Sequence, residues 1–174
     1  AVGDGFEELA ARWPNSYWLL GSSKAFAEDL AGVLKGMRDV GQIGNRVAVV
    51  NVADAFGIEL MAAGKPALEA AGFEIVYETS YPLQQQDFAP IIQAAQAADP
   101  DAFVAFSYPA DTFGLSAQAK IANLDVGAFY VGVATAFPAY LGANGTAAEG
   151  VLGAGGINPD SAGMQEWRAR HKEV

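Results

Sequence analysis

Five short apolar runs recur along the chain, separated by stretches with helical spacing. This alternation constrains the fold more than any other feature. The runs are 46–52 (RVAVVNV), 73–78 (FEIVYE), 102–106 (AFVAF), 128–133 (AFYVGV) and 150–154 (GVLGA). Their β-branched and aromatic residues suit a pleated surface. The runs are nearly continuous in apolar character, as in strands covered on both faces. Before the first run, Ser22 or Ser23 caps a predicted helix over 24–40, with Phe26, Leu30, Val33, Leu34 and Met37 on one stripe and Gly41 as its stop. Between the runs the spacing predicts helices over 56–71 (ending at Gly72), over 88–98 (capped by Asp87) and over 112–123, then a helical turn at 138–141 and an Asn144-Gly145 turn. An amphipathic stretch at 161–172 closes the pattern. A short helix over 5–12, capped by Asp4, ends at Trp13-Pro14-Asn15. Strands joined through helices of this length pair in parallel by right-handed crossovers. The expected fold is therefore α/β: a doubly wound, about five-stranded parallel sheet in one layer with helices on both faces.

Composition narrows the chemistry. The chain of 174 residues carries 20 acidic and 10 basic residues, a net charge of −10. Such a chain is repelled by phosphate backbones and anionic lipid, so no nucleic-acid partner and no direct membrane insertion are expected. Cysteine is absent, which excludes disulfides, thiolate metal sites and a cysteine nucleophile. The single histidine, His171, lies in the charged segment Arg168-Ala169-Arg170-His171-Lys172-Glu173 and reads as a solvated helix residue. No apolar run reaches the roughly 18–20 residues of a membrane span. The opening Ala1-Val2-Gly3-Asp4 has no basic start or apolar stretch.

In an open parallel sheet, ligands bind beyond the carboxyl ends of the strands, where strand order reverses. That rule selects the segments 51–57, 80–82, 107–111 and 133–137, which hold Asp54, Phe56, Ser107, Tyr108, Asp111, Ala134 and Thr135. These segments offer aromatics, small polar side chains and helix N-termini suited to an anion. They offer no catalytic grouping. Asp54 and Asp111 each stand just before a predicted helix, so a cap is their plainest reading. There is no phosphate-loop motif, and the glycine-rich 150–156 stretch lacks the GxGxxG spacing, so an α/β enzyme is not indicated. The aromatic group Trp13, Tyr17 and Trp18 reads as packing on a neighbouring lobe or helix.

Several segments together resemble the Leu/Ile/Val-binding, type I periplasmic solute-binding proteins of ABC importers. Asn45-Arg46-Val47-Ala48-Val49-Val50 followed by Asp54-Ala55-Phe56-Gly57 is similar to that family's "kvAvv…D..YG" pattern. Leu68-Glu69-Ala70-Ala71-Gly72-Phe73-Glu74-Ile75-Val76 resembles "le..G.evv", and Asp87-Phe88-Ala89-Pro90-Ile91-Ile92 resembles "Dfs..i". Pro100-Asp101-Ala102, Ala148-Glu149-Gly150-Val151 and the opening Trp13-Pro14-Asn15-Ser16-Tyr17-Trp18 fall in the family's order with compatible spacing. The resemblance implies a second (C-terminal) ligand-binding lobe over 21–174, preceded by an inter-lobe segment and a residual first-lobe portion over 1–20. It implies a periplasmic protein, secreted through a signal peptide that this chain does not contain, which captures a small solute in an inter-lobe cleft and delivers it to a membrane permease, with no cofactor and no enzymatic step. A ligand-sensing domain of a receptor or amide-type regulator shares the fold and is the alternative.

Carried over residue by residue, the family's ligand-packing tyrosine matches Phe56, and Tyr108 matches a cleft-lining position. The acidic residue with which amino acid binders hold the α-ammonium falls near Ala134, with Thr135 beside it, and neither is charged. The resemblance therefore points to a carboxylate, aromatic acid or amide as solute, unless Asp54 or Asp111 replaces the missing charge. Ser107 and Thr135 are the expected hydrogen-bonding groups.

Overall fold

The computed structural model describes residues 11–15, 21–155 and 161–172. Within them, helix α1 (Ser23–Asp39) precedes strand β1 (Arg46–Val52). There follow α2 (Ala55–Ala70), β2 (Glu74–Tyr81), α3 (Ala89–Ala97), β3 (Ala102–Phe106), α4 (Pro109–Ala122) and β4 (Ala128–Val131). After a 3-10 turn at Val133–Ala136 come α5 (Pro138–Asn144), a second 3-10 turn, the short β5 (Val151–Leu152) and α6 (Ala162–His171). The predicted helix over 5–12, and Tyr17 and Trp18, lie outside the described residues except for 11–12. Trp13 is exposed.

All five strands are parallel, in the order β2-β1-β3-β4-β5. Alternation along β1 divides the interior into two cores. Val47 and Val49 face α1 and α2, where Leu30, Leu34, Leu60 and Leu68 cover them. Ala48, Val50 and Val52 face α3 and α4, where Ile92, Ala95 and Leu115 cover them. β1 and β3 are buried from end to end apart from Arg46, which explains their unbroken apolar sequences.

Local chemistry sets the helix starts. The Ser22 hydroxyl accepts from the Ala25 N–H at 3.1 Å, and the Asp54 carboxylate accepts from the Gly57 N–H at 3.0 Å. Gly72, at φ +88°, turns the chain out of α2 in a conformation that side chains with a Cβ disfavour. The amino edge of the sheet is tied off by Arg46. Its guanidinium donates to the carbonyls of Ala98 (2.6 Å) and Asp99 (2.8 Å), and its N–H donates to the Asp101 carboxylate (2.8 Å).

Several boundaries differ from the sequence reading. β2 runs on to Tyr81, because Thr79, Ser80 and Tyr81 pair with Val50, Asn51 and Val52. The polar Ser80 is accommodated by a 2.7 Å hydrogen bond to the Asn51 side chain. α4 begins at Pro109, three residues before the expected start, since proline's fixed φ suits a first helical position. β4 and β5 are shorter than their apolar runs, because Gly132 turns away and only two residues of the last run find a partner strand.

Leu115 is fully buried between α4 and the sheet, whereas Ile121 on the same helix is exposed. Leu115→Ala is expected to cost about 3 kcal/mol and Ile121→Ala less than about 0.5 kcal/mol, read from the midpoints of urea denaturation.

Candidate functional site

The connection after β1 leads outward to β2 on one side, and the connection after β3 leads outward to β4 on the other. The two following helices therefore diverge to opposite faces and leave a crevice above the carboxyl ends of β1 and β3. Asp54 and Phe56 enter it at the head of α2, and Ser107, Tyr108 and Asp111 at the head of α4.

The structure joins four of these residues into one cluster. The Phe56 and Tyr108 rings stack at 4.8 Å between centroids, inclined by 20°. The Tyr108 hydroxyl donates to Asp54 Oδ2 at 2.7 Å, while Asp54 Oδ1 caps α2. One carboxylate thus fixes a helix terminus with one oxygen and an aromatic ring with the other. Burial first, and then the hydrogen bond and charge of Asp54, push the Tyr108 phenol up to about 12, so it remains a donor at neutral pH.

Asp111 is only 5% exposed. It lies inside the first turn of α4 rather than ahead of it, and the cap expected there is built differently. Its Oδ2 accepts from the Tyr108 N–H at 3.3 Å and from the Tyr81 hydroxyl at 3.4 Å. Burial raises its carboxyl above the usual aspartate range, with the nearby Asp54 charge adding to that effect and the Tyr108 N–H and Tyr81 hydroxyl opposing it. The ion pairs among the described residues all lie elsewhere, so the two carboxylates give this rim a negative field without a fixed cation. Tyr81 is held edge-on against Phe88 at 5.2 Å and 88°. It belongs to the site, although sequence reasoning did not single it out. The signal was available in its segment, which the strand-end rule selected, but β2 was expected to end three residues earlier.

The remaining candidates are placed differently. Ser107 is fully buried, and its hydroxyl is engaged with that of Thr112 at 2.8 Å. It serves the start of α4 from the buried side and borders the apolar pocket below the crevice. Ala134 is also fully buried. Thr135 is half-buried, and its hydroxyl donates to the Gly132 carbonyl at 3.3 Å, which places it on the β4–β5 side of the rim. Gly132 allows that side to close up, since a Cβ there would stand 2.1 Å from the Ser107 carbonyl oxygen. Phe26, on α1, joins Phe56 in lining an apolar pocket below the crevice, and no motif marked it. Among the described residues no group of three histidine, cysteine, aspartate or glutamate side chains is placed to hold a metal, and no helix is long and apolar enough to cross a membrane. His171 is exposed on α6, with its ring 4.3 Å from that of Trp167.

This geometry can bind and orient a small molecule. It offers an aromatic surface and two carboxylates set at helix starts.

A family model described as periplasmic binding protein matches residues 6–174. No curated protein sequence matches the chain. Among solved structures, a leucine-, isoleucine-, valine-, threonine- and alanine-binding protein from Brucella ovis, in a closed conformation, superposes with a TM-score of 0.73 at 23% identity, covering 89% of this chain and 39% of that one. A leucine-binding protein from Thermotoga maritima gives a TM-score of 0.73 at 18% identity, covering 88% and 43%. An amino acid ABC transporter substrate-binding protein from Pseudomonas fluorescens gives 0.69 at 19% identity, covering 84% and 39%. The chain thus spans about two-fifths of the length of these structures.

Two outcomes follow from the cluster. Tyr108→Phe is expected to cost about 1 kcal/mol in urea denaturation through loss of the bond to Asp54. Because the folded state raises the Asp111 pKa, folding takes up a proton there, and this contribution to stability falls as pH rises from the unfolded aspartate value through the folded one. Asp111→Asn keeps both hydrogen bonds, so its stability at neutral pH is expected to match or exceed that of the wild type, with the fall removed. Denaturation midpoints measured from pH 4 to 7 check this.

Proposed function

The chain belongs to the periplasmic binding protein family, and we propose that it forms one wall of the solute cleft in the substrate-binding component of an ABC importer. The reading is carried by the Phe56–Tyr108–Asp54 cluster, assembled at the point where the strand order reverses. In this role the lobe closes with a second lobe over the solute, and bound solute favours the closed state. The protein works in the periplasm, partners a membrane permease, and captures its solute without transforming it.

The wall favours a solute that brings positive charge. Asp54 stands at the crevice and Asp111 is buried behind it, and neither forms an ion pair among the described residues, so a carboxylate solute placed there is repelled, whereas an ammonium is attracted. This supports an amino acid as solute, with these two residues supplying the charge that Ala134 lacks. The Phe56 ring then provides apolar surface for the rest of the molecule, as the names of the Brucella ovis and Thermotoga maritima proteins suggest for aliphatic amino acids.

A thermal-shift screen of the two-lobed protein tests this. A ligand specific for the native state raises the melting temperature. Leucine is expected to raise it by a few degrees at saturation, and 4-methylpentanoate, which lacks only the ammonium, is not. Stabilisation by the carboxylate alone would contradict the charge assignment. Stabilisation by neither, nor by any amino acid, aromatic acid or amide, would contradict the solute-binding reading.

A further inference from the structure

Asp111 is the only carboxylate buried among the described residues. A carboxylate in such a place keeps its charge only where donors or a cation make up for lost water. Here the compensation is thin. Oδ2 accepts from the Tyr108 N–H at 3.3 Å and from the Tyr81 hydroxyl at 3.4 Å, both longer than the usual range. None of the ion pairs among the described residues includes it. Tyr108 also links it to a second carboxylate, because the Tyr108 hydroxyl donates to Asp54 Oδ2 at 2.7 Å.

Asp54 from α2 and Tyr81 from β2 are the titratable side chains that act on Asp111, together with the Tyr108 N–H at the head of its own helix. α3 and the turn at Val133–Ala136, which also pack on α4, carry no titratable residue, and Tyr130 of β4 belongs to the opposite core. No cation therefore opposes burial and the Asp54 charge, and these outweigh the two donors. Asp111 takes up a proton more readily than an ordinary aspartate. A cation entering the crevice changes that balance. An ammonium drawn to Asp54 offsets the neighbouring negative charge and favours the ionised form of Asp111. Binding and ionisation then assist each other, and the coupling is reciprocal.

We infer that Asp111 is a proton switch for the crevice: capture of a cationic solute drives a proton from its buried carboxyl to solvent, and acid conversely loosens the solute. The inference rests on the solute-binding reading above and adds regulation by pH to it. Charge balances, since one positive charge enters as one proton leaves. The solute lowers a carboxyl pKa that the fold has raised. Affinity is therefore full above the solute-free value and declines as pH falls from there to the solute-bound value, by at most about tenfold per pH unit.

Calorimetric titration of the two-lobed protein with leucine, from pH 4 to 7 in pairs of buffers that differ in ionisation enthalpy, counts the protons. Leucine stays zwitterionic across this range and contributes none. Release of up to about one proton per leucine is expected as pH falls through the window, with affinity dropping severalfold. Asp111→Asn is expected to bind leucine more weakly at neutral pH, with the release gone and the profile flat. Tyr81→Phe keeps its ring on Phe88 but removes a donor to the ionised carboxylate, so it is expected to move the loss of affinity to higher pH. Leucine binding without proton release, or release that survives Asp111→Asn, overturns the switch and leaves the wall reading standing. Proton uptake with tighter binding in acid overturns the switch and the charge assignment together. Where Asp111→Asn does not fold, an unshifted profile in Tyr81→Phe overturns the switch. If leucine binds at no pH, the switch falls with the charge assignment, and the thermal screen alone judges the solute-binding reading.

Discussion

The reversal of strand order between β1 and β3 is the constraint on which the rest of the molecule depends. Once β2 lies on one side of β1 and β3 on the other, the helices that follow β1 and β3 must leave by opposite faces. Their N-termini then flank an open crevice that no side chain of the sheet fills. Asp54, Phe56, Tyr108 and Asp111 collect there. The opposite edge of the sheet is closed by Arg46, whose Nε and Nη2 donate to backbone carbonyls and whose N–H donates to Asp101. The two edges thus differ in kind: one is satisfied, and the other presents acceptor carboxylates and aromatic surface.

Rigidity at the crevice comes from residues with double duties. Asp54 caps α2 and anchors the Tyr108 ring, and Tyr108 in turn supports Phe56. Asp111 binds the first turn of α4 to its own N-cap residue and reaches across to Tyr81 at the end of β2. Burying Asp111 beside another carboxylate works against stability, and the raised pKa records that cost. Such tension between stability and a prepared binding surface is common at functional sites. Phe56, Tyr108 and Asp54 hold one another in place, which is the preorganisation the proposed binding role calls for.

Much of the fold is legible in the sequence. β1 and β3 have their observed limits because a strand buried on both faces must be apolar throughout. The position of the crevice follows from the same alternation. What stays hidden is whatever depends on pairing between distant segments. Nothing in Thr79-Ser80-Tyr81 announces a strand until Asn51 is seen to accept the Ser80 hydroxyl. Ser107 reads as a surface hydroxyl until Thr112 turns up beside it in the interior. Phe26 belongs to an ordinary helical stripe, and only the packing of α1 over the strand ends brings it to the same pocket as Phe56. The carry-over from family patterns located Ala134 near the rim, but its methyl is wholly buried, and the charges nearest the crevice come from Asp54 and Asp111 instead.

The most direct test of the central claim is amide hydrogen exchange of the two-lobed protein, with and without a solute that raises its melting temperature. The account predicts slowed exchange in residues 53–57 and 107–112, the two segments at the strand-order reversal, with little change in 98–101 and 124–127 at the amino edge. Protection confined to the amino edge or to the outer surface of α1 and α2, with 53–57 and 107–112 unaltered, would contradict it.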